Sequence, residues 1–354
     1  MENQKQQGQQ VEHKRRVRYK GTHPKNYKEK YKELQPEKYA ETIEKVKSKG
    51  STPAGMHISI MVKEILDFLQ IQPGQTGLDA TLGYGGHTRK MLECLQSKGH
   101  IYALDVDPIE SVKTKARLES YGYGSDMVTV MLQNFMNIDQ VSEQVGLFDF
   151  VLADLGVSSM QIDNPDRGFS YKQEGPLDLR LNPEKGISAA ERLKTISQPE
   201  LEGMLVENSD EPYAEEISRA IIRKRKKGEE ITTTKALYHI IEEALSFVPA
   251  DKRKETIKKT CQRVFQALRI DVNNEFEVLE EFLYKLPNAL NKGGRVAILT
   301  FHSGEDRLVK KSFKQLYREG VYSEIATDVI RPSAEECAEN GRARSTKMRW
   351  AIKA

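Results

Sequence analysis

The stretch from Gly77 to Pro108 restricts the fold more than any other part of this chain. It reads Gly77-Leu-Asp-Ala-Thr-Leu-Gly-Tyr-Gly-Gly-His87, then a helix-like segment to Gly99, then His100-Ile-Tyr-Ala-Leu-Asp-Val-Asp107-Pro108. An apolar run ending in a carboxylate, a glycine-rich turn, an amphipathic segment and a second apolar run ending in Asp105 predict the first β-α-β unit of a doubly wound α/β sheet. Gly83, Gly85 and Gly86 let the backbone approach a ligand with no Cβ in the way. Asp105 ends the second strand where a carboxylate can accept two ribose hydroxyls. The turn lacks the full G-x-G-x-x-G spacing that cradles a pyrophosphate, and Asp79 precedes its first glycine. A carboxylate there repels a pyrophosphate and suits a ligand with a cationic amino-acid portion. S-adenosylmethionine meets that description, and a nicotinamide dinucleotide meets it less well. A purely structural strand-turn-helix is the plainer alternative.

The rest of the chain extends this unit. Met56 to Leu69 has apolar residues at helical spacing, leading through Gln72-Pro-Gly74 into the first strand. A charged helix follows Pro108 to about Ser120; Met127 to Gln133 reads as a third strand and Phe148 to Asp154 as a fourth. Residues from about 160 to 265 hold charge-rich, helix-like segments without a convincing strand, including the run Arg223-Lys-Arg-Lys-Lys227, and strand signal resumes at Gly294 to His302. A parallel sheet interrupted after its fourth strand by a helical insert, and completed afterward, is the simplest account. The insert is expected over the carboxyl ends of the strands, where open α/β sheets bind ligands. The expected division is an N-terminal extension over 1–55, a first sheet part over 56–159, the insert over 160–265 and a second sheet part over 266–354.

Charge separates the extension from the remainder. The whole 354-residue chain has a formal net charge of +3, yet residues 1–50 alone carry 14 Lys and Arg against 7 Glu, so the rest is net acidic. Lys14-Arg-Arg-Val-Arg18, with Tyr19, Tyr27, Tyr31 and Tyr39 among lysines, cannot build a core but can lie along phosphate. A solvated extension is the alternative. Cys94, Cys261 and Cys337 lie far apart without C-x-x-C spacing, so neither a disulfide framework nor a zinc site is expected and a cytoplasmic location is the default. No apolar run has bilayer length and no secretory signal is read at the polar N-terminus, so no membrane association is expected.

The end of the fourth strand, Asp154-Leu-Gly-Val-Ser-Ser-Met-Gln161, lies where a substrate would meet a cofactor bound across the first two strands. If the reaction is methyl transfer to an exocyclic amine, the nitrogen lone pair is delocalised into the ring. An acceptor that holds one N–H frees it, and Asp154 with nearby carbonyls can be that acceptor. No metal is needed. A helix-capping aspartate is the structural alternative.

Eight motifs in order carry a resemblance to a known family. They are Asp79-Ala-Thr-Leu-Gly-Tyr-Gly-Gly-His87, Ala103-Leu-Asp-Val-Asp-Pro108, Leu152-Ala-Asp-Leu-Gly-Val-Ser-Ser159, Asp166-Arg-Gly-Phe-Ser-Tyr171, Gly175-Pro-Leu-Asp-Leu-Arg180, Cys261-Gln-Arg-Val-Phe-Gln-Ala-Leu-Arg-Ile270, Phe301-His-Ser-Gly-Glu-Asp-Arg307 and Gly341-Arg-Ala-Arg-Ser345. Over residues 56 to 354 the chain resembles the RsmH family, also called MraW. The resemblance implies a Rossmann-like class I methyltransferase sheet and transfer of methyl from S-adenosylmethionine to N4 of a cytosine in 16S ribosomal RNA, at the decoding centre of the small ribosomal subunit. It places cofactor contacts on Gly85, Gly86, His87, Asp105, Phe135, Asp154 and Gln161, beside Asp79 and Gly83 from the turn itself. Phe135 then walls the adenine, or is simply core. Arg167, Arg180 and Arg269 read either as phosphate or cytosine contacts or as ion pairs with acidic neighbours. His302 reads as a group that accepts or relays the amine proton, or as a polar surface residue. 16S rRNA is the expected partner, with a homodimer as a further expectation. Gly304 stands where the family has leucine, and such differences touch the substrate side. They leave open a paralogue acting at another RNA position, or a non-catalytic RNA-binding ribosome-assembly factor.

Overall fold

The computed structural model describes residues 59–354. The basic extension expected over 1–55, with its RNA-contacting reading, lies outside the described residues. Helix α1 (Val62–Leu69) leads into β1 (Thr76–Asp79), α2 (Gly86–Leu95), β2 (His100–Asp105), α3 (Pro108–Ser120) and β3 (Val128–Leu132). A 3₁₀ turn over Phe135–Asn137, α4 (Ile138–Val145) and β4 (Phe148–Asp154) complete the first half. Seven further helices follow: α5 (Ser159–Asp163), α6 (Ala189–Thr195), α7 (Gln198–Ser209), α8 (Ala214–Lys226), α9 (Thr234–Ala244), α10 (Ala250–Asn273) and α11 (Glu275–Lys285). The chain then returns to the sheet with β5 (Leu290–Thr300), α12 (Ser303–Arg318), β6 (Tyr322–Ile325), the short α13 (Ala334–Glu339) and β7 (Lys347–Lys353).

The seven strands are ordered β3-β2-β1-β4-β5-β7-β6. The first five are parallel, and β7 enters antiparallel between β5 and β6. The order reverses between β1 and β4: the chain leaves β1 towards β2 and β3, then returns to pair β4 on β1's other edge. That switch point opens a crevice at the carboxyl ends of both strands. Strand β4 is apolar on both faces because it is central. Val151 and Ala153 pack on one side with α4, α11 and α12, while Phe150 and Leu152 pack on the other with α1 and α2. Phe148 and Phe150, between which the pairing with β5 shifts register, pack into opposite clusters. Each fully buried ring or leucine there contributes about 1.5–3 kcal/mol.

The region leaving β4 has its own apolar core, from Phe169 through Ile217, Ile221, Leu237 and Ile241 to Leu268. Among the described residues of 160–265 no strand forms beyond an isolated bridge between Pro176 and Thr233. Helix α10 runs to Asn273, through the boundary expected at residue 265. Strand β5 begins at Leu290, earlier than the expected Gly294, and neither β6 nor β7 is among the strands that the sequence pattern predicts. No helix among the described residues is long and apolar enough to cross a membrane.

Candidate active site

The glycine turn is held from three sides. Asp79, ending β1, is 1% exposed and accepts the Thr88 hydroxyl (2.6 Å) and the Thr81 amide (3.1 Å). It therefore locks the first turn of α2 to β1 and presents almost no surface of its own. Burial raises its pKa, opposed by Thr88, His87 and Thr81. From α3, the Thr114 hydroxyl donates to the Gly83 carbonyl (2.6 Å), and Arg117 donates to the Tyr84 carbonyl (2.9 Å) while lying 3.4 Å above the Tyr84 ring centroid. Gly85 caps α2 at φ +79°, and a Cβ there would meet Thr114 Cγ2 at 2.7 Å. Both the left-handed backbone and the close helix demand glycine.

Asp105 closes the turn from β2, accepting the Gly83 amide on Oδ2 (2.9 Å) and the Asp107 amide on Oδ1 (2.9 Å). Burial pushes its carboxyl up to about 6. Two residues on, Asp107 is fully buried and caps α3, where Pro108 supplies a ready-made first turn. Its Oδ1 accepts the Ile109 and Glu110 amides; its Oδ2 accepts Arg167 (2.6 Å) and Gln161 (3.0 Å). Asp107 thus ties the β2–α3 turn to the segment after β4. The sequence reading misses this tie, although the Asp-Pro pair does announce a helix cap.

Asp154 ends β4, its amide donating to Thr81 Oγ1 (2.6 Å). Its Oδ2 lies 3.4 Å from His87 Nδ1, and His87 Nε2 is 2.8 Å from the Ile60 carbonyl. Its Oδ1 is buried and has no hydrogen-bond partner among the described residues. Burial is the largest cause raising the Asp154 carboxyl to about 6; Asp79 and Glu305 add to it and His87 opposes it. A buried acceptor without a donor is costly, about 1–3 kcal/mol, and calls for a ligand N–H or O–H.

The remaining expected residues divide. Gln161 completes a capping box with Ser158 at the start of α5 while its amide holds Asp107. Phe135 is half-buried and packs edge-on against Phe282 of α11, 5.1 Å between centroids, so part of the ring is core. All three arginines expected to face substrate are held by carboxylates. Arg167 is buried on Asp107 and also donates to the Arg180 and Leu181 carbonyls; Arg180 forks onto Asp178, and Arg269 onto Glu275 (2.8 and 2.7 Å). These are the ion pairs that the sequence reading offered as one of its two alternatives. His302 caps α12, with Nε2 3.1 Å from the buried Glu305, whose Oε2 takes the Phe301 amide. It is a largely buried helix cap beside a carboxylate, not a surface residue. Glu305, which the sequence reading does not single out, keeps its carboxyl ionised through His302, the Phe301 amide and Arg269 against the cost of its burial.

The strand order, the glycine turn after β1, the carboxylate ending β2 and a second carboxylate ending β4 beside it define a Rossmann-like class I methyltransferase. Residues 54–354 match the MraW methylase family. The chain belongs to that family. It is 75% identical over 97% of its length to ribosomal RNA small subunit methyltransferase H 1 of Lachnoclostridium phytofermentans, covering 93% of that protein. It is 68% identical to the protein of the same name in Agathobacter rectalis, over 97% of this chain and 98% of that one. Ribosomal RNA small subunit methyltransferase H of Clostridium botulinum is 37% identical over 83% of this chain and 97% of that protein.

Proposed function

We propose that this protein transfers a methyl group from S-adenosylmethionine to the exocyclic N4 amine of a cytosine in 16S rRNA, with the small ribosomal subunit in the cytoplasm as its setting. The observation that carries the reading is the buried, partnerless Oδ1 of Asp154 at the carboxyl end of β4, next to the glycine turn. The residues fit the cofactor. Gly85 and Gly86 have no room for a Cβ against Thr114 and Ser59, which keeps the turn tight, and the start of α2 at Gly86 and His87 offers amides to an anionic group. Asp105, raised by burial, gains most from ribose hydroxyls that solvate its ionised form. Asp154, Phe135 and Gln161 complete the cofactor side, while Asp79 acts on it from behind, through Thr88.

When bound, S-adenosylmethionine supplies an electrophilic methyl on a sulfonium. The protein's part is to hold the amine and draw on its N–H. Asp154 Oδ1 accepts one amine hydrogen, which lets the nitrogen pyramidalise and localises its lone pair. Holding amine and methyl in line supplies most of the remaining acceleration. A base inside structured RNA reaches such a crevice only by leaving its stack, and the helical region after β4 is the segment we assign to receiving the displaced strand. The test is methyl transfer to purified small subunits from a strain lacking this gene, read by nucleoside mass spectrometry. N4-methylcytidine in 16S rRNA is expected. Another methylated nucleoside, or none with cofactor bound, overturns the substrate reading.

A further inference from the structure

The hydrogen-bond geometry of His87 says more about Asp154 than the capping role that its place in the turn suggests. A carbonyl only accepts, so the 2.8 Å approach of Nε2 to the Ile60 oxygen places a hydrogen on Nε2. In the neutral ring, Nδ1 then carries a lone pair, and that lone pair faces Asp154 Oδ2 at 3.4 Å. Two acceptors turned towards each other repel, whereas one proton between them binds both. The charged groups facing the pair are Asp79 from β1 and Glu305 from α12, both carboxylates that favour a proton on it. His302, the other histidine nearby, is already committed to Glu305.

We propose that His87 is the positioning residue behind Asp154, and that the two side chains together hold the proton released when the substrate amine is methylated. The inference rests on the proposed methyl transfer to an amine. In that step the nitrogen lone pair forms the N–C bond, the S–C bond breaks with its electrons to sulfur, and the surplus proton leaves nitrogen for Asp154 Oδ1. The Asp154–His87 pair passes from a net charge of −1 to 0 as the sulfonium charge disappears, so the total charge of the crevice is conserved. Asp154 touches the amine. His87 acts through it, taking a share of the proton at Nδ1 once the protonated carboxyl group turns about its Cβ–Cγ bond and brings that oxygen inward, where Oδ2 lies 3.4 Å from Nδ1.

The experiment combines ring-nitrogen NMR of the cofactor-free protein with single-turnover rates. In ¹⁵N-histidine spectra, His87 is expected as the Nε2–H form at high pH, and Asp154→Asn is expected to change its Nδ1 signal, because Nδ1 faces Oδ2 at 3.4 Å. His87→Gln keeps a donor for Ile60 but has no titrating nitrogen. Its turnover at saturating cofactor is expected to fall by roughly tenfold to a hundredfold, with cofactor affinity held within about threefold and the rising limb of the pH–rate profile moved to lower pH. An Nδ1–H ring, an Nδ1 signal indifferent to Asp154→Asn, or a His87→Gln profile with an unmoved limb each overturns the proposal. Ring spectra that uncouple in a protein that still makes N4-methylcytidine overturn the pair alone. A wild-type protein that makes no N4-methylcytidine overturns the functional reading and, with it, the source of the proton.

Discussion

Replacing Arg167 with methionine separates an architectural arginine from an RNA-binding one. Methionine keeps much of the side chain's volume while removing the charge that meets Asp107 Oδ2 at 2.6 Å. Breaking a buried pair by removing one partner costs about 3–5 kcal/mol, because the remaining charge stays buried without compensation. Here the Ile109 and Glu110 amides and Gln161 still serve Asp107, which favours the lower end, but the carbonyls of Arg180 and Leu181 also lose their donor. About 3 kcal/mol corresponds to a fall in the unfolding midpoint of roughly 5 °C for a chain of this length. Thermal and urea unfolding of Arg167→Met, Asp107→Asn and the double variant measures it. The double variant is expected to lie above the sum of the single losses by about 1–3 kcal/mol, since the amide introduced by Asp107→Asn leaves no unpaired charge buried. The slope of RNA affinity against salt is expected to stay unchanged, because a side chain closed onto Asp107 neutralises no phosphate. A variant with its midpoint intact and a salt slope reduced by about one would refute the structural assignment and return Arg167 to the RNA.

Asp154→Asn is expected to lower turnover by about 10²–10⁴-fold with a far smaller change in cofactor affinity; equal losses in both would contradict the division between acceptor and binder. Asp105, raised by burial to about 6, adds stability to the cofactor-free protein below about pH 4, and that stability is lost as pH rises through about 6. Asp105→Ala should therefore compare better with wild type in melting temperature at pH 7.5 than at pH 4.5, while cofactor affinity of the wild type should weaken as pH falls below about 6; a flat pH series would count against both. Gly85→Ala places a methyl 2.7 Å from Thr114 Cγ2 at φ +79° and should cost about 1–3 kcal/mol of stability along with cofactor affinity, seen by calorimetry. Deleting residues 1–50 should flatten the salt dependence of RNA binding if the extension lies along phosphate, and leave it unchanged otherwise.

Most of the sheet is legible in the sequence because its strands announce themselves locally. Strand β4, Phe148–Asp154, is buried on both faces and reads as a continuous apolar run, and the β1 turn carries its glycines in sequence. Strand β7 is not legible because Arg349 and Lys347 give it a polar appearance. Both close onto Asp306 of α12, a pairing that no window of local sequence contains. The four residues of β6 are too few to set a period. In the site, residue type reveals the carboxylates ending β1, β2 and β4, since strand ends are where chemistry gathers. What the carboxylates hold is not legible. Arg167 is 60 residues from Asp107, and His87 is 27 from Ile60, so only the fold could choose an ion pair over a phosphate and a carbonyl over a ligand.

Strands β4 and β5 pair side by side although everything from residue 155 to 289 lies between them. Closing so long an unstructured loop costs about 4 kcal/mol in chain entropy. Folding the helical region first, on its own apolar core, brings the two ends together and removes much of that cost. During synthesis, β1 to β4 therefore emerge with the outer edge of β4 unpaired, and they wait for all of residues 155 to 289 before β5 arrives. An exposed apolar edge of that kind is where a nascent chain aggregates or recruits a chaperone. The same arrangement that inserts a helical region between β4 and β5 makes the sheet's completion the late, vulnerable event in the life of the chain.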